Sequence, residues 1–239
     1  MSIAWTVARF EMHLFFRNPA GFVLIGLFWV VNGFFTWIYG NDILVRDEAS
    51  LAAFFDVAYW SMLFFVPAWG MSALSREFQS GHWKLFRVRQ VSSAQWLLGK
   101  WTAQSMIILL ALLPGLLHGF SLQAAAPAMP SFWMIGLVGL WAYGSLLASL
   151  VLLAGSLTTS TIVTYLLSLL LGGFFHTLTG LVAPALGPQW RSMAEQLHIG
   201  YHLQGLWGGL LEWAQFAFFA GTVVVSLVLA SFLDEKRQA

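Results

Sequence analysis

His198 and His202 lie four residues apart, a spacing that can place two metal ligands on one face of a helix. Zinc is usually held by about three or four protein ligands. No third ligand is evident beside this pair, and Gly200 between the two histidines weakens a helix. We therefore predict no metal site, and a structural or interfacial role for both histidines.

Asp56 and His176 are ionisable residues that lie within long apolar segments. Burying such a group in a membrane costs free energy, so an ionisable residue there is by default a functional candidate. We interpret both residues as candidates for lining a pathway. Two alternatives stay open: Asp56 can be hydrated at the level of the outer lipid headgroups, and His176 can hydrogen-bond to a neighbouring helix.

The dipeptide Gly99-Lys100 is also found at the end of phosphate-binding loops, but the rest of that motif is missing. No glycine stands five residues before Gly99, and Trp101 occupies the place of the required Ser or Thr. The chain has no cysteine, and no nucleophile can be paired with a base at His176 or at the two later histidines. We therefore expect no enzymatic activity and no cofactor, and any ATP hydrolysis must come from another protein.

The composition indicates a membrane protein. Charged residues make up 9% of the 239-residue chain, hydrophobic residues make up 59%, and the mean hydropathy is +0.76. A soluble domain carries roughly 25% charged residues, so the apolar surface of this chain must face the lipid bilayer. The net charge of +1 lacks the excess of Lys and Arg that nucleic-acid binding requires.

Six apolar segments follow one another along the chain, each long enough to cross a bilayer. We therefore predict an all-α, polytopic membrane protein with a single domain over residues 1–239. The predicted spans are residues 20–39, 51–74, 96–120, 132–157, 161–182 and 213–233. Residues 183–212 are less apolar, and we predict short interfacial or re-entrant helices before the last span.

Residues 2–17 mix apolar and charged side chains at helical spacing. One helical face would carry four apolar residues, Ile3, Val7, Phe10 and Leu14. This pattern predicts an amphipathic helix that lies in the membrane interface. Asn18-Pro19 should end this helix, because proline disfavours the helical conformation in the residue before it.

The distribution of basic residues predicts the orientation. With an even number of spans, both termini lie on the same side, and that side carries nine of the 11 Lys and Arg residues. These are Arg9, Arg17, Arg76, Lys84, Arg87, Arg89, Lys100, Lys236 and Arg237. Because basic residues accumulate on the cytoplasmic side, both termini and the loop between the second and third spans should be cytoplasmic.

This loop, residues 76–100, combines charges with apolar side chains. Gly81 can stop a helix that continues the second span. Beyond it, Trp83, Leu85 and Phe86 offer an apolar surface between charged residues, as a docking element would. The alternative is an ordinary solvated loop whose charges serve only the topology.

The same loop resembles the first cytoplasmic loop of type-2 ABC transporter permeases. That family shows Glu, then Gly-Thr after three residues, then Leu, and a Gly-Lys pair eighteen residues beyond the first Gly. Glu77, Gly81, Leu85 and Gly99-Lys100 match this spacing. Residues 18–22, 53–68 and 197–211 resemble further segments of the family's gliding-motility-associated branch. Departures from the family pattern are His82, Lys84, Gln90 and Leu206-Trp207-Gly208.

The resemblance implies the permease subunit of an ATP-driven transporter in the bacterial cytoplasmic (inner) membrane. It favours export over import as the direction of transport. Its partners would be a cytoplasmic ATP-binding cassette ATPase and a second permease, which is either a copy of this chain or a different one. The residues that would contact the ATPase are Arg76, Glu77, Gly81, Trp83, Lys84, Leu85, Phe86, Arg87 and Arg89. We expect Glu77 to pair with a basic group of the ATPase. The alternative function is a membrane scaffold that anchors partners without transport.

Cysteine labelling tests the predicted topology. Cysteines introduced at Ala49 and Ala128 should react with an impermeant thiol reagent in intact cells, because both loops are predicted to face outward. A cysteine at Ser80 should react only after the membrane is permeabilised. Labelling at Ser80 in intact cells would overturn the orientation.

Overall fold

Six long helices, each apolar enough to cross a membrane, organise the fold. The structure is a computed structural model that describes residues 2–38, 51–81, 91–125 and 133–238. Across these ranges it is all-helical, without a strand, which confirms the predicted multi-pass helical architecture. The candidate spans are Pro19–Trp37, Ala52–Ser80, Ser93–Ala124, Trp133–Leu157, Thr161–Ala185 and Trp213–Arg237.

The helices that make up these spans and the segments between them have the following bounds. They are α1 Ile3–Arg17, α2 Pro19–Trp37, α3 Ala52–Gly70, α4 Ser72–Ser80, α5 Ser93–Ala111, α6 Leu113–Ala125, α7 Trp133–Leu157, α8 Thr161–Gly173, a π-helical turn Phe174–Leu178, α9 Thr179–Val182, a 3₁₀ turn Ala183–Ala185, α10 Pro188–Leu197, α11 Ile199–Trp207 and α12 Trp213–Gln238.

The second span continues as a helix beyond its predicted end at residue 74. The polar helix α4 extends it to Ser80, and Gly81 then adopts a left-handed backbone with φ of 73°. Glycine reaches this conformation without the steric cost that other residues incur. The apolar pattern marks the part of a helix that can lie in lipid, whereas the helix itself ends where the backbone changes direction.

The break between the first two helices lies where the sequence predicts it. The Asn18 side chain accepts a hydrogen bond from the backbone N–H of Ala20 at 3.0 Å and so caps α2, and Pro19 occupies the first turn. Both residue types favour a helix start at these positions. The amphipathic helix α1 is therefore separate from the first span.

The packing of α1 differs from the predicted apolar face. Val7 and Ala8 are buried against the rest of the protein, whereas Ile3, Phe10 and Leu14 are exposed. The reason lies in α5, where a Cβ atom at Gly99 would come within 2.6 Å of both the Ala4 carbonyl oxygen and the Val7 Cβ. The missing side chain of Gly99 lets the two helices approach closely. The interfacial position of α1 stays a prediction, and the three exposed apolar residues are those available to lipid.

Helix α7 lies at the centre of the bundle. In the most apolar 18-residue stretch of α7, 78% is buried inside the protein, whereas the corresponding share for α12 is 17%. It packs against α3, α5, α8, α11 and α12. Ser145 of α7 shares a 2.8 Å hydrogen bond with Ser105 of α5, as expected where small polar residues hold membrane helices together.

Two short helices, α10 and α11, precede the last span, and their predicted interfacial or re-entrant position stays a prediction. Helix α11 buries Ile199, Leu203 and Leu206 and packs against α7, whereas α10 has no buried residue. Together with α9 they form one end of the bundle, and this end holds the candidate site.

Replacing Gly99 tests the contact between α1 and α5, and replacing Gly26 serves as the control. Gly99→Ala should lower the free energy of unfolding by about 1–3 kcal/mol, because the added methyl group overpacks the helix contact. Gly26→Ala in α2 is the matched control, since a Cβ there meets nothing within 4 Å. Unfolding of the purified protein in denaturant measures both. Equal stability of the two variants would contradict the close approach.

Candidate functional site

A π-helical turn interrupts the fifth span at His176. The turn covers Phe174–Leu178, and the His176 side chain is only 1% exposed. A π-turn inserts one extra residue into a helix and is frequent at functional sites. Here the turn places an ionisable side chain inside the bundle.

Two tyrosines from other spans hold the His176 ring. The Tyr59 ring of α3 stacks on it, with ring centroids 3.8 Å apart and an angle of 20° between the planes. The Tyr59 hydroxyl donates a hydrogen bond to the His176 carbonyl at 3.0 Å. The Tyr143 hydroxyl of α7 lies 2.8 Å from His176 Nδ1. His176 thus connects three of the six spans.

The bond to Tyr143 determines which ring nitrogen carries the hydrogen. The Tyr143 hydroxyl has no other hydrogen-bond partner in the part of the chain that the structure describes, so its hydrogen is satisfied only if it donates to Nδ1. In a neutral imidazole the hydrogen is then on Nε2. Nε2 is buried and has no partner among the described residues. We therefore assign to His176 an N–H donor whose acceptor is missing.

His176 forms part of the wall of an open pocket of about 610 Å³. The pocket lies between α3, the π-turn, α9, α10 and α11. Its aromatic wall residues are Tyr59, Trp60 and Tyr201, and its polar ones include His198, Glu195 and Gln204. A pocket with aromatic walls and few polar groups is the usual form of a small-molecule site.

The two histidines that lie four residues apart in the sequence have different contacts in the structure. His198 lines the pocket, whereas His202 stacks on Phe218 and its Nε2 lies 2.8 Å from the Gln196 carbonyl oxygen. Across residues 2–38, 51–81, 91–125 and 133–238, no three His, Asp or Glu side chains gather as a metal site. His202 therefore has a packing role.

The other pathway candidate, Asp56, has no contact with the pocket around His176. Its side chain is exposed on α3 and is not part of the pocket wall. A pathway role for Asp56 stays a prediction, and its exposure fits the alternative of a hydrated surface residue.

A second polar cluster, the Lys100 cluster, lies near the other end of the bundle. Lys100 is 1% exposed. Its Nζ lies 2.7 Å from Glu77 Oε1 of α4 and 2.8 Å from the Ala73 carbonyl oxygen, and it also contacts the Glu11 carboxylate of α1. The ammonium group therefore joins α1 and α4 to α5.

This cluster corrects the expected role of Glu77. Sequence analysis assigned its carboxylate to a basic group of a partner, but the structure places it against Lys100 of the same chain. The reason is the burial of Lys100, since a buried ammonium group needs counter-charges close by. The sequence signal for this pair was Lys100 itself, because a lysine within an apolar segment needs an acidic partner nearby.

The remaining candidates for partner contact differ in what the structure says of them. Arg76 is exposed, and its Nε donates to the Ser72 carbonyl at 3.3 Å. Gly81 ends α4. Six candidates lie outside the described residues: Trp83, Lys84, Leu85, Phe86, Arg87 and Arg89.

Sequence analysis missed Tyr59, Tyr143 and Glu11. Nothing in the sequence distinguishes the two tyrosines from interfacial aromatic residues, because their contacts join helices far apart in the chain. Comparison with known proteins adds no assignment: no model of a known protein family matches the chain, and no curated protein shows significant similarity to it.

Removing the Lys100 charge tests the Lys100 cluster. Lys100→Met should lower the free energy of unfolding by about 3–5 kcal/mol, because the largely buried carboxylates of Glu11 and Glu77 would lose their counter-charge. Arg191→Met is the control, since its pair with Glu195 has side chains that are 56% and 44% exposed, and exposed pairs contribute about 0–1 kcal/mol. Denaturant unfolding measures both variants. Similar losses in the two would show that Lys100 is hydrated in solution.

Proposed function

We propose that the chain is the membrane permease subunit of an ATP-driven transporter and that it exports its substrate. It would form the pathway with a second permease, a copy of itself or a different chain, and would couple to a separate cytoplasmic ATPase. Its location would be the bacterial cytoplasmic membrane, with both termini in the cytoplasm. The six candidate spans and the resemblance of residues 76–100 to permease coupling loops support this proposal.

The observation that carries the proposal is the contact between the two ends of this loop. Glu77 and Gly81 come before residues 82–90 and Gly99-Lys100 comes after them, and Glu77 binds Lys100 directly. Residues that match the family pattern in two separate segments therefore meet at one point. A partner that pushes on the loop would move the spanning helices with it, as a coupling loop requires.

The second span offers a route from the loop to the pocket. Tyr59 lies within α3 and Gly81 follows the end of α4, roughly 30 Å away at the rise of a helix. Pro67 lies inside α3, and a turn at Met71 separates the two helices. Proline and helix breaks are common places for bending. Movement of α4 can thus change the position of Tyr59 and Trp60 on the pocket wall.

The alternative function, a membrane scaffold, differs in its need for ATP hydrolysis. A scaffold keeps its function when the ATPase partner binds ATP but cannot hydrolyse it, whereas a transporter does not. We expect cells with such an ATPase to have the phenotype of cells that lack this chain. A wild-type phenotype would favour the scaffold.

Two substitutions test the coupling loop. Trp83→Ala should weaken ATPase binding about tenfold or more, since loss of a buried aromatic anchor often costs about 2 kcal/mol or more. Arg76→Glu should weaken it by opposing charges. A change at Glu77 would not test ATPase contact alone, because it also disrupts the Lys100 cluster.

The measurements are ATPase stimulation in the purified complex and a crosslink from position 83 to the ATPase. Arg191→Glu is the charge-matched control on the predicted opposite face, and it should leave both unchanged. Wild-type stimulation in Trp83→Ala and Arg76→Glu, together with no crosslink, would leave the loop with a topological role alone.

A further inference from the structure

The pocket beside the π-turn presents a hydrogen-bond donor that nothing in the described protein satisfies. This donor is His176 Nε2, which is buried and without a partner, and its hydrogen follows from the bond between Tyr143 and Nδ1. A buried polar group without a partner is costly and calls for an explanation. An acceptor oxygen that reaches Nε2 from the pocket would supply the missing partner.

The same pocket wall also contains the His198 ring. Its Nδ1 is buried and has no partner in the described ranges. Burial lowers the pKa of His198, so the ring is neutral near pH 7, and each of its nitrogens either donates or accepts one hydrogen bond. A hydroxyl group can serve both histidines, because it accepts a hydrogen bond from His176 Nε2 and can either donate to or accept from His198 Nδ1.

The charges around the pocket disfavour an ionic ligand. A cation would meet the N–H of His176. An anion would meet the Glu195 carboxylate, which lines the pocket and is itself paired with Arg191 at 2.8 Å. An uncharged ligand avoids both conflicts, and charged groups are also the most expensive to transfer into a partly apolar site.

The aromatic side chains favour a ligand with an apolar face as well as hydroxyl groups. Trp60 and Tyr201 line the pocket and keep 52% and 59% of their surface exposed. Trp60 also contacts His176 edge to face, with ring centroids 4.6 Å apart. A flat C–H surface can pack on such rings while its hydroxyl groups reach the histidines.

We propose that this pocket binds a neutral hydroxylated ring, the chemistry of a sugar. The pocket volume of about 610 Å³ lies within the range of roughly 300–1,000 Å³ for small-molecule sites. The sugar can come from a free saccharide or from the headgroup of a glycolipid in the membrane. Binding is a property of this chain alone and does not rest on the transport proposal.

The test uses the full chain in phosphatidylcholine nanodiscs, purified without glycoside detergents. Methyl glucoside, titrated and followed by calorimetry, represents the free saccharide. Glucosyl diacylglycerol, retained in native mass spectrometry, represents the lipid headgroup. Methylammonium and inorganic phosphate are the charged comparison ligands. We expect at least one of the sugar probes to bind and neither charged probe to do so, and the probe that binds identifies the source.

Two variants connect binding to the pocket. His176→Phe keeps an aromatic ring beside Tyr59 but lacks the Nε2 donor, so sugar binding should weaken about tenfold, the value of one lost hydrogen bond. Trp60→Leu removes an aromatic wall from a half-exposed position and should weaken it similarly. His13→Phe, at an exposed site on α1, is the control and should bind like the wild type.

Trp60→Leu also keeps the test decisive if His176→Phe fails to fold. Three results would overturn the proposal: no binding of either sugar probe, which would leave water as the occupant; equal or tighter binding of a charged probe; or sugar binding that folded His176→Phe or Trp60→Leu leaves unchanged.

Discussion

The buried ammonium group of Lys100 determines how three segments of the protein are arranged. A charge without partners in such a place costs several kcal/mol, and here carboxylates from α1 and α4 and the Ala73 carbonyl surround it. Since these groups come from separate helices, movement of α1 or α4 away from α5 would take one carboxylate away from the buried ammonium group. Gly99, one residue earlier, allows the close approach of α1 that this contact needs.

The other polar cluster, the His176 cluster, lies where α3, α7 and the π-turn meet. The Lys100 ammonium group finds all its partners within the chain, whereas the His176 ring has a buried nitrogen without a partner and belongs to the wall of an open pocket. The proposed ligand therefore lies at His176. The second span joins the two clusters, because α3 carries Tyr59 and α4 carries Glu77. Any movement that couples the two ends of the protein would pass through Pro67 and the turn at Met71.

The parts of the fold that sequence predicted are those set by local physics. The apolar spans follow from their length and composition, the break at Asn18-Pro19 from capping and proline geometry, and the end of α4 from Gly81. The interfacial position of α1 stays a prediction, because helical spacing gives an apolar face but not what covers it. Val7 is buried on α5, whereas Phe10 of the same predicted face is 57% exposed.

Sequence by itself determined that this is a multi-pass helical membrane protein, since so apolar a chain cannot be covered by its few charges. Six helices among the described residues are long and apolar enough to cross a membrane. Sequence also identified His176 as an ionisable residue within a predicted span. Tertiary structure alone decided what the ionisable residues contact. Glu77 binds Lys100 of the same chain, and His176 meets Tyr59 and Tyr143, whereas Asp56 does not line the pocket. The physical reason is that these contacts join residues up to 117 positions apart, and their distances depend on helix packing, which local sequence patterns do not encode.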